Sequence, residues 1–498
     1  LNHPLRASRA ALLAGLLCVL GAPATAQLPT LGDGSDMSSG AERKLGESIA
    51  RELYRDPDYI DDPVLVEYVQ GLWQTLLAAG RARGDVTPEL GERFAWTVLL
   101  GKDRTINAFA LPGGWLGLHL GLVAITANRD ELASVLAHEL SHVTQRHISR
   151  LVTQQNRASP LVMAAMILGA LAASKNAQAG QAVIAGSQAL AQQSQLNFSR
   201  DMEREADRIG LGILTQAGFE PQGFVTMFEK LQQAARLNDT GTFPYLRTHP
   251  MNTERAAEMQ SRQQLAGRAP VAPTFEHAMA AGRARVLSNP GVDGLRALMA
   301  EGDSPGLAAQ PRPRQAGALY AAALAASKLR DAPAASRLLT RLHALVAQDA
   351  PAQRLARLLE AEVAVAQRDG ARALSLLDAE PSRRPELLLA AQARQLTGKA
   401  ADSVDRLQTW VSTQPRDAAA WQALAAAYAA RGQPLRAVRA EAEAQVAHLD
   451  YQAALDRFKA AQDMVRKGTA GGDHIEASII DTRTRQVELL LREQAVER

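Results

Sequence analysis

The chain of 498 residues is 47% apolar, 21% charged and only 4% aromatic, the make-up of a folded protein of two or three domains rather than of a fibre or a disordered tail. With few aromatics and abundant alanine, its core has to come from small and aliphatic side chains, as closely packed helices allow, which argues against an all-β sandwich. Its 55 Lys and Arg against 52 Asp and Glu leave a formal charge of +3, with no basic block to follow a phosphate backbone, so nucleic acid is not an expected partner.

Residues 1–26 place Arg6 and Arg9 before a short apolar run and end on Ala24-Thr25-Ala26, the pattern of a cleavable secretory signal peptide. The single cysteine, Cys18, falls inside it, so the processed chain is expected to have no disulfide and to be held by its core or by metal. Helical spacing of Leu45, Ile49 and Leu53, and then of Val64, Val66, Val69, Leu72 and Leu76, predicts a helical entry to the first domain. At residues 94–100 (FAWTVLL) and 106–111 (INAFAL) the apolar runs become short and are bounded by Gly101-Lys102-Asp103 and Pro112-Gly113-Gly114, which predicts strands of a small sheet. Residues 115–125 (WLGLHLGLVAI) read as a third strand or a pair of strands, after which Asn128 or Asp130 caps a helix through ELASVLAHELSHVTQRH.

The apolar run at 161–173 falls short of the roughly 18 residues of a membrane span. It reads either as a buried helix or as a hydrophobic lid or hairpin that touches a membrane surface. Residues 198–218 form a helix that opens on a charged cluster and stops at Gly218. The stretch RAPVAPT at 268–274 reads as a linker between a domain at 27–267 and a helical one at 275–498. In the second domain Pro381 and Pro415, and likewise Gly398 and Gly432, recur at the period of a tetratricopeptide repeat. In the clearest unit, Trp421, Leu424, Tyr428, Gly432, Ala437 and Ala444 take the large, small and turn positions that let two antiparallel helices nest, which predicts an α-solenoid with a concave face and a capping helix at its end.

The chemistry concentrates in His138-Glu139-Leu140-Ser141-His142. Two imidazoles four residues apart lie about 40° apart around a helix and can reach one metal ion, while the carboxylate beside them can take the proton of a metal-bound water instead of binding the metal. Zinc lowers the pKa of such a water to about 7, which suits a secreted protein without thiols. A catalytic zinc needs a third protein ligand and an open position. His147, nine residues after His138, falls on the opposite side of an unbroken helix and reads as a surface or capping residue. Glu203 and Asp207, at i and i+4, share one face of the charged helix, with Glu205 turned away; Glu203 is assigned as ligand and Asp207 as the acceptor of a ligand imidazole N–H.

HELSH, then EREADRIG about sixty residues on, preceded by NAFALPGG and followed by THPMNTER, resembles the gluzincin metallopeptidases, the group that includes the HtpX and CAAX prenyl proteases and has periplasmic members with C-terminal repeats. The resemblance spans about residues 40–265. It implies one zinc per chain on His138, His142 and Glu203, with Glu139 as base. It also implies an α+β zincin-like metallopeptidase domain, mostly helical with a small sheet, followed by an all-α tetratricopeptide-type solenoid. Asn107, Ala108, Phe109 and Ala110 resemble the family's edge strand, beside which an extended substrate adds as another strand, although the same residues also read as a plain core strand. His249, in a His-Pro pair, resembles a segment that reaches the open zinc position, as a latch or as a stabiliser of the oxyanion. The implied activity is periplasmic endoproteolysis of unfolded or misassembled polypeptides, with outer-membrane β-barrel proteins and their assembly machinery as partners. The alternative is a repeat-based chaperone or scaffold whose zinc is latent or structural.

Overall fold

The computed structural model describes residues 37–154, 164–165, 167–169, 199–236, 244–266, 272–289, 291–468 and 473–496. The signal peptide read at 1–26, most of the apolar run at 161–173 and most of the linker read at 268–274 lie outside them. Helix α1 (Ser39–Arg55) starts where Ser38 accepts a hydrogen bond from the Ala41 N–H. Helix α2 (Pro63–Arg83) starts on Asp62, whose carboxylate accepts from the Leu65 N–H at 2.9 Å, with Pro63 in the first turn where its missing N–H costs nothing.

Four strands follow in the spatial order β1 (Tyr59–Ile60), β2 (Thr97–Gly101), β4 (Trp115–His119), β3 (Ala108–Leu111). β2 and β4 run parallel; the outer pairs are antiparallel. Only the first half of the run at 115–125 is a strand, because the chain then turns into helix α3 (Leu120–Ile125). Gly121 marks the change. A Cβ there would lie 2.1 Å from the Arg104 carbonyl oxygen, so only glycine lets the helix start this close to the preceding loop. A run buried on every side carries no period with which to separate strand from helix, which is why the pattern misled.

One face of the sheet, with Val98, Leu100, Ala108, Ala110, Leu116 and Leu118, joins a single core with Leu65, Trp73 and Leu76 of α2. Leu132, Leu136 and Leu140 of helix α4 (Arg129–Thr144) belong to the same core. Helices α5 (His147–Gln154), α6 (Arg200–Gln216), α7 (Gln222–Arg236), α8 (Tyr245–Thr248) and α9 (Thr253–Ala266) are the further described helices of this half.

From α10 (Phe275–Leu287) onward the chain is a helical solenoid. Trp421, Leu424 and Tyr428 of the helix Ala418–Ala430 interleave with Ala437, Ala440 and Ala444 of the helix Pro434–Ala447, large against small. Gly398 and Gly432 turn the chain in left-handed backbone, at φ 71° and 73°. α10 serves both halves. Its Ala280 and Ala284 belong to the core under the sheet, whereas Met279 and Val286 belong to the first solenoid core, which Val64 of α2 also enters.

Three arginines carried by solenoid helices fasten this seam to the segment that opens α2. Arg283 holds Asp62 through two bonds of 2.7 Å and reaches Glu362. Arg354 bridges Glu67 and Glu386, and Arg384 bridges Asp61 and Asp417. Ser38–Arg498 thereby form one unit. Among the described residues no helix is long and apolar enough to cross a membrane.

Candidate metal centre

The Asn128 side chain accepts from the Glu131 N–H at 2.9 Å and starts α4, whose first turn carries Asp130 and Glu131, the charge a helix N-terminus favours. α4 then presents His138, Glu139 and His142. α6 starts on Ser199 and crosses α4 closely at Gly210, where a Cβ would come within 3.1 Å of the Ala137 carbonyl oxygen. This approach brings Glu203 and Asp207 to the imidazoles.

His138 Nε2 and His142 Nε2 are 3.0 Å apart. Glu203 places Oε2 3.5 Å from the first and Oε1 3.5 Å from the second. His249, at the end of α8, brings Nδ1 to 3.0 Å from Glu203 Oε1 and 3.4 Å from His138 Nε2. One ligand atom from each of His138, His142, Glu203 and His249 lies within 4.8 Å of the others, and all four residues are buried. Imidazoles and a carboxylate converging without solvent form a donor set for a divalent metal. Glu139 adds a second sign. Fully buried, it accepts the Ala110 N–H at Oε2 (2.8 Å), while its Oε1 makes no short hydrogen bond and faces the ring of His249, with Nε2 at 3.4 Å.

The charges of the metal-free cluster depend on one another. Burial opposes charging of His138, but the carboxylates of Asp207 and Glu203 outweigh it and raise its pKa to about 9. Burial and the neighbouring His138 push His142 well below its ordinary value. Burial alone would raise Glu203, yet His249 and His138 take it well below the carboxylate range. Glu139 is raised, chiefly by burial.

The structure places Asp207 Oδ1 2.9 Å from His138 Nδ1. Arg255 then grips Asp207 with bonds of 2.7 and 2.8 Å and lies 2.7 Å from Glu203. Arg255 escapes sequence reasoning: it sits 48 positions from Asp207 with no spacing signal, although it closes the quoted THPMNTER segment. Tyr245 escapes as well. Its ring stacks on His249 at 4.4 Å, and its N–H bonds the Ile106 carbonyl at 3.3 Å.

β3 forms an edge of the sheet. The Asn107 carbonyl accepts the His119 N–H on the inner side, whereas the Ala110 N–H points outward to Glu139. Ala108 is therefore turned outward too, by the alternation of a strand. Phe109 lies over Gly117, where a Cβ would meet its ring at 2.1 Å.

His147 is not the surface residue that an unbroken helix requires. α4 ends at Thr144, Arg146 turns left-handed at φ 52°, and His147 folds back, fully buried, with Nδ1 2.9 Å from His142 Nδ1 and Nε2 3.1 Å from Glu205 Oε2. Burial lowers its pKa to about 4. Outside the cluster, His277 is satisfied by the Tyr68 hydroxyl and the Thr126 carbonyl, and His343 by Glu360.

Residues 87–263 match Peptidase family M48. Over 275 residues the chain is 36% identical to the putative beta-barrel assembly-enhancing protease of Vibrio cholerae, covering 55% of this chain and 54% of that protein. It is 37% identical over 237 residues to the beta-barrel assembly-enhancing protease of Escherichia coli K12, covering 47% of each. It is 31% identical over 167 residues to the mitochondrial metalloendopeptidase OMA1 of Arabidopsis thaliana, covering 33% of this chain and 31% of that one. The chain thus matches about half the length, or less, of these curated relatives.

Proposed function

We propose that this chain, through the M48 peptidase domain it carries, is a zinc-dependent endopeptidase of the bacterial periplasm, acting at the inner face of the outer membrane on unfolded or misassembled polypeptides during β-barrel assembly and quality control. One observation carries the reading: four buried ligand side chains converge within 4.8 Å beside a buried carboxylate, Glu139, whose Oε1 faces His249 Nε2 at 3.4 Å. The similarity to bacterial beta-barrel assembly-enhancing proteases supports the setting.

His138, His142 and Glu203 would hold the zinc, with Asp207 and Arg255 fixing His138 and Glu203 in place. Zinc, when bound, supplies Lewis acidity toward a peptide carbonyl and a water molecule. Glu139, oriented by the Ala110 N–H, takes a proton at Oε1 and hands it to the departing amine nitrogen. The outward N–H and carbonyl of Ala108 and the outward carbonyl of Ala110, whose N–H stays on Glu139, receive the substrate as an added strand, flanked by Asn107 and Phe109. The concave solenoid holds the remainder of the polypeptide or docks on the assembly machinery.

The purified protein is expected to contain one zinc per chain by elemental analysis, and His142→Ala to contain none; full retention of metal in that variant would defeat the ligand set. His249, seated among the ligands, acts as a latch on the open position. Its replacement by alanine is therefore expected to raise the basal cleavage of unfolded casein several-fold, whereas a fall would assign it to the oxyanion.

A further inference from the structure

The two imidazoles of the HELSH helix are supported differently. His138 turns Nδ1 directly to a carboxylate, Asp207, at 2.9 Å. His142 turns Nδ1 to another imidazole, that of His147, at 2.9 Å, and His147 passes the contact on to Glu205 at 3.1 Å. Glu205 is itself held by Arg150 at 3.2 Å.

With His147 neutral, the geometry orders the protons along this line. A carboxylate only accepts, so His147 Nε2 carries a hydrogen toward Glu205. A neutral ring then has its lone pair at Nδ1, so the hydrogen between the two rings belongs to His142 Nδ1. That tautomer leaves the lone pair of His142 at Nε2, the nitrogen 3.0 Å from His138 Nε2 inside the cluster.

The backbone is bent to make the line. Continued as a helix, residue 147 would face away from 138; instead Arg146 adopts φ 52°, a left-handed conformation that a non-glycine residue rarely takes. A bond of 2.8 Å from Arg146 to Glu42 of α1 and one of 3.2 Å to Ser149 anchor the turn. A strained, cross-anchored break whose result is a fully buried imidazole on a candidate ligand has more than packing to account for.

We propose that His147 and Glu205 are positioning residues that lock His142 in the Nδ1–H tautomer and so hold its Nε2 ready for metal. The inference rests on the zinc reading above for its consequence, though not for the tautomer itself. Loss of such outer partners typically weakens metal affinity 10–100-fold.

The experiment uses the full-length protein in two readouts: zinc affinity by chelator competition, and the His142 tautomer in the metal-free protein by nitrogen-15 NMR of labelled histidine. His147→Leu is expected to weaken zinc 10–100-fold and to mix the His142 tautomers. His147→Asn offers an amide oxygen to the His142 Nδ1–H and should recover most of both. Glu205→Gln, at a partly exposed position that tolerates change if the His147 variants fail to fold, should weaken zinc by a few-fold and loosen the tautomer. A wild-type tautomer in His147→Leu, or equal losses in the Leu and Asn variants at equal thermal stability, overturns the proposal. A wild-type protein with a locked Nδ1–H tautomer and no affinity for zinc would instead sink the peptidase reading and leave the lock standing.

Discussion

Replacing Glu139 with glutamine will reduce proteolysis by about 10²–10⁴-fold, the range that a positioned general acid–base supplies, while the zinc content stays at one per chain. The amide keeps the shape of the side chain and can still accept the Ala110 N–H, now 2.8 Å from Oε2, so the cleft is preserved. What disappears is the ability to hold a proton. Burial raises the pKa of Glu139, countered by His249 and His138, which favours its taking up a proton. Cleavage of unfolded casein, measured alongside elemental analysis, checks the result; undiminished cleavage would remove Glu139 as base. The same variant, expressed in the periplasm, should retain the polypeptides it cannot cut, and mass spectrometry of the bound chains then identifies substrates.

The second large effect concerns the seam. Arg283→Met should destabilise the protein by about 3–5 kcal/mol, because it strands the buried carboxylate of Asp62 without its partner. Arg283 is 4% exposed, and its two bonds to Asp62 are 2.7 Å each, so water cannot take over the charge. Combining it with Asp62→Asn, which keeps a side-chain oxygen to cap α2 at the Leu65 N–H, should return most of the loss. Burial opposes ionisation of Asp62, but Arg283 and the Leu65 N–H outweigh it, and its pKa in the folded protein is lowered. Its stabilising share is accordingly complete above the ordinary value of about 4 and disappears as the pH falls through the lower folded value. Denaturant unfolding at pH 7 and below 4 should show the wild type converging on Arg283→Met in acid; a constant gap would contradict the assignment.

The helix bearing His138 and His142 is legible because its signals are local: a capping Asn128, apolar positions at helical spacing, and two imidazoles one turn apart whose spacing already contains their geometry. The solenoid is legible for the same reason, most clearly at 418–447, where one helix pair carries its own turn and its own large and small residues. The failures lie where distant contacts decide. Nothing in Gln145-Arg146 announces a break, as the left-handed residue is arginine rather than glycine and its anchor, Glu42, lies 104 positions away. Arg255 and Tyr245 reach the cluster from elements far along the chain, so no periodicity points to them. The run at 115–125 failed for a different reason, being apolar on all sides and hence silent about its period.

The N–H of Tyr245 occupies the Ile106 carbonyl, one of the outward groups next to β3, and the His249 N–H bonds the Tyr245 carbonyl at 2.9 Å. If His249 is the latch and β3 the substrate-receiving edge, as proposed above, the two share one mooring: a segment that extends its pairing past Ala108 would compete for the oxygen that holds the His249 turn, and a long unfolded chain would open a site that a short or folded one leaves shut.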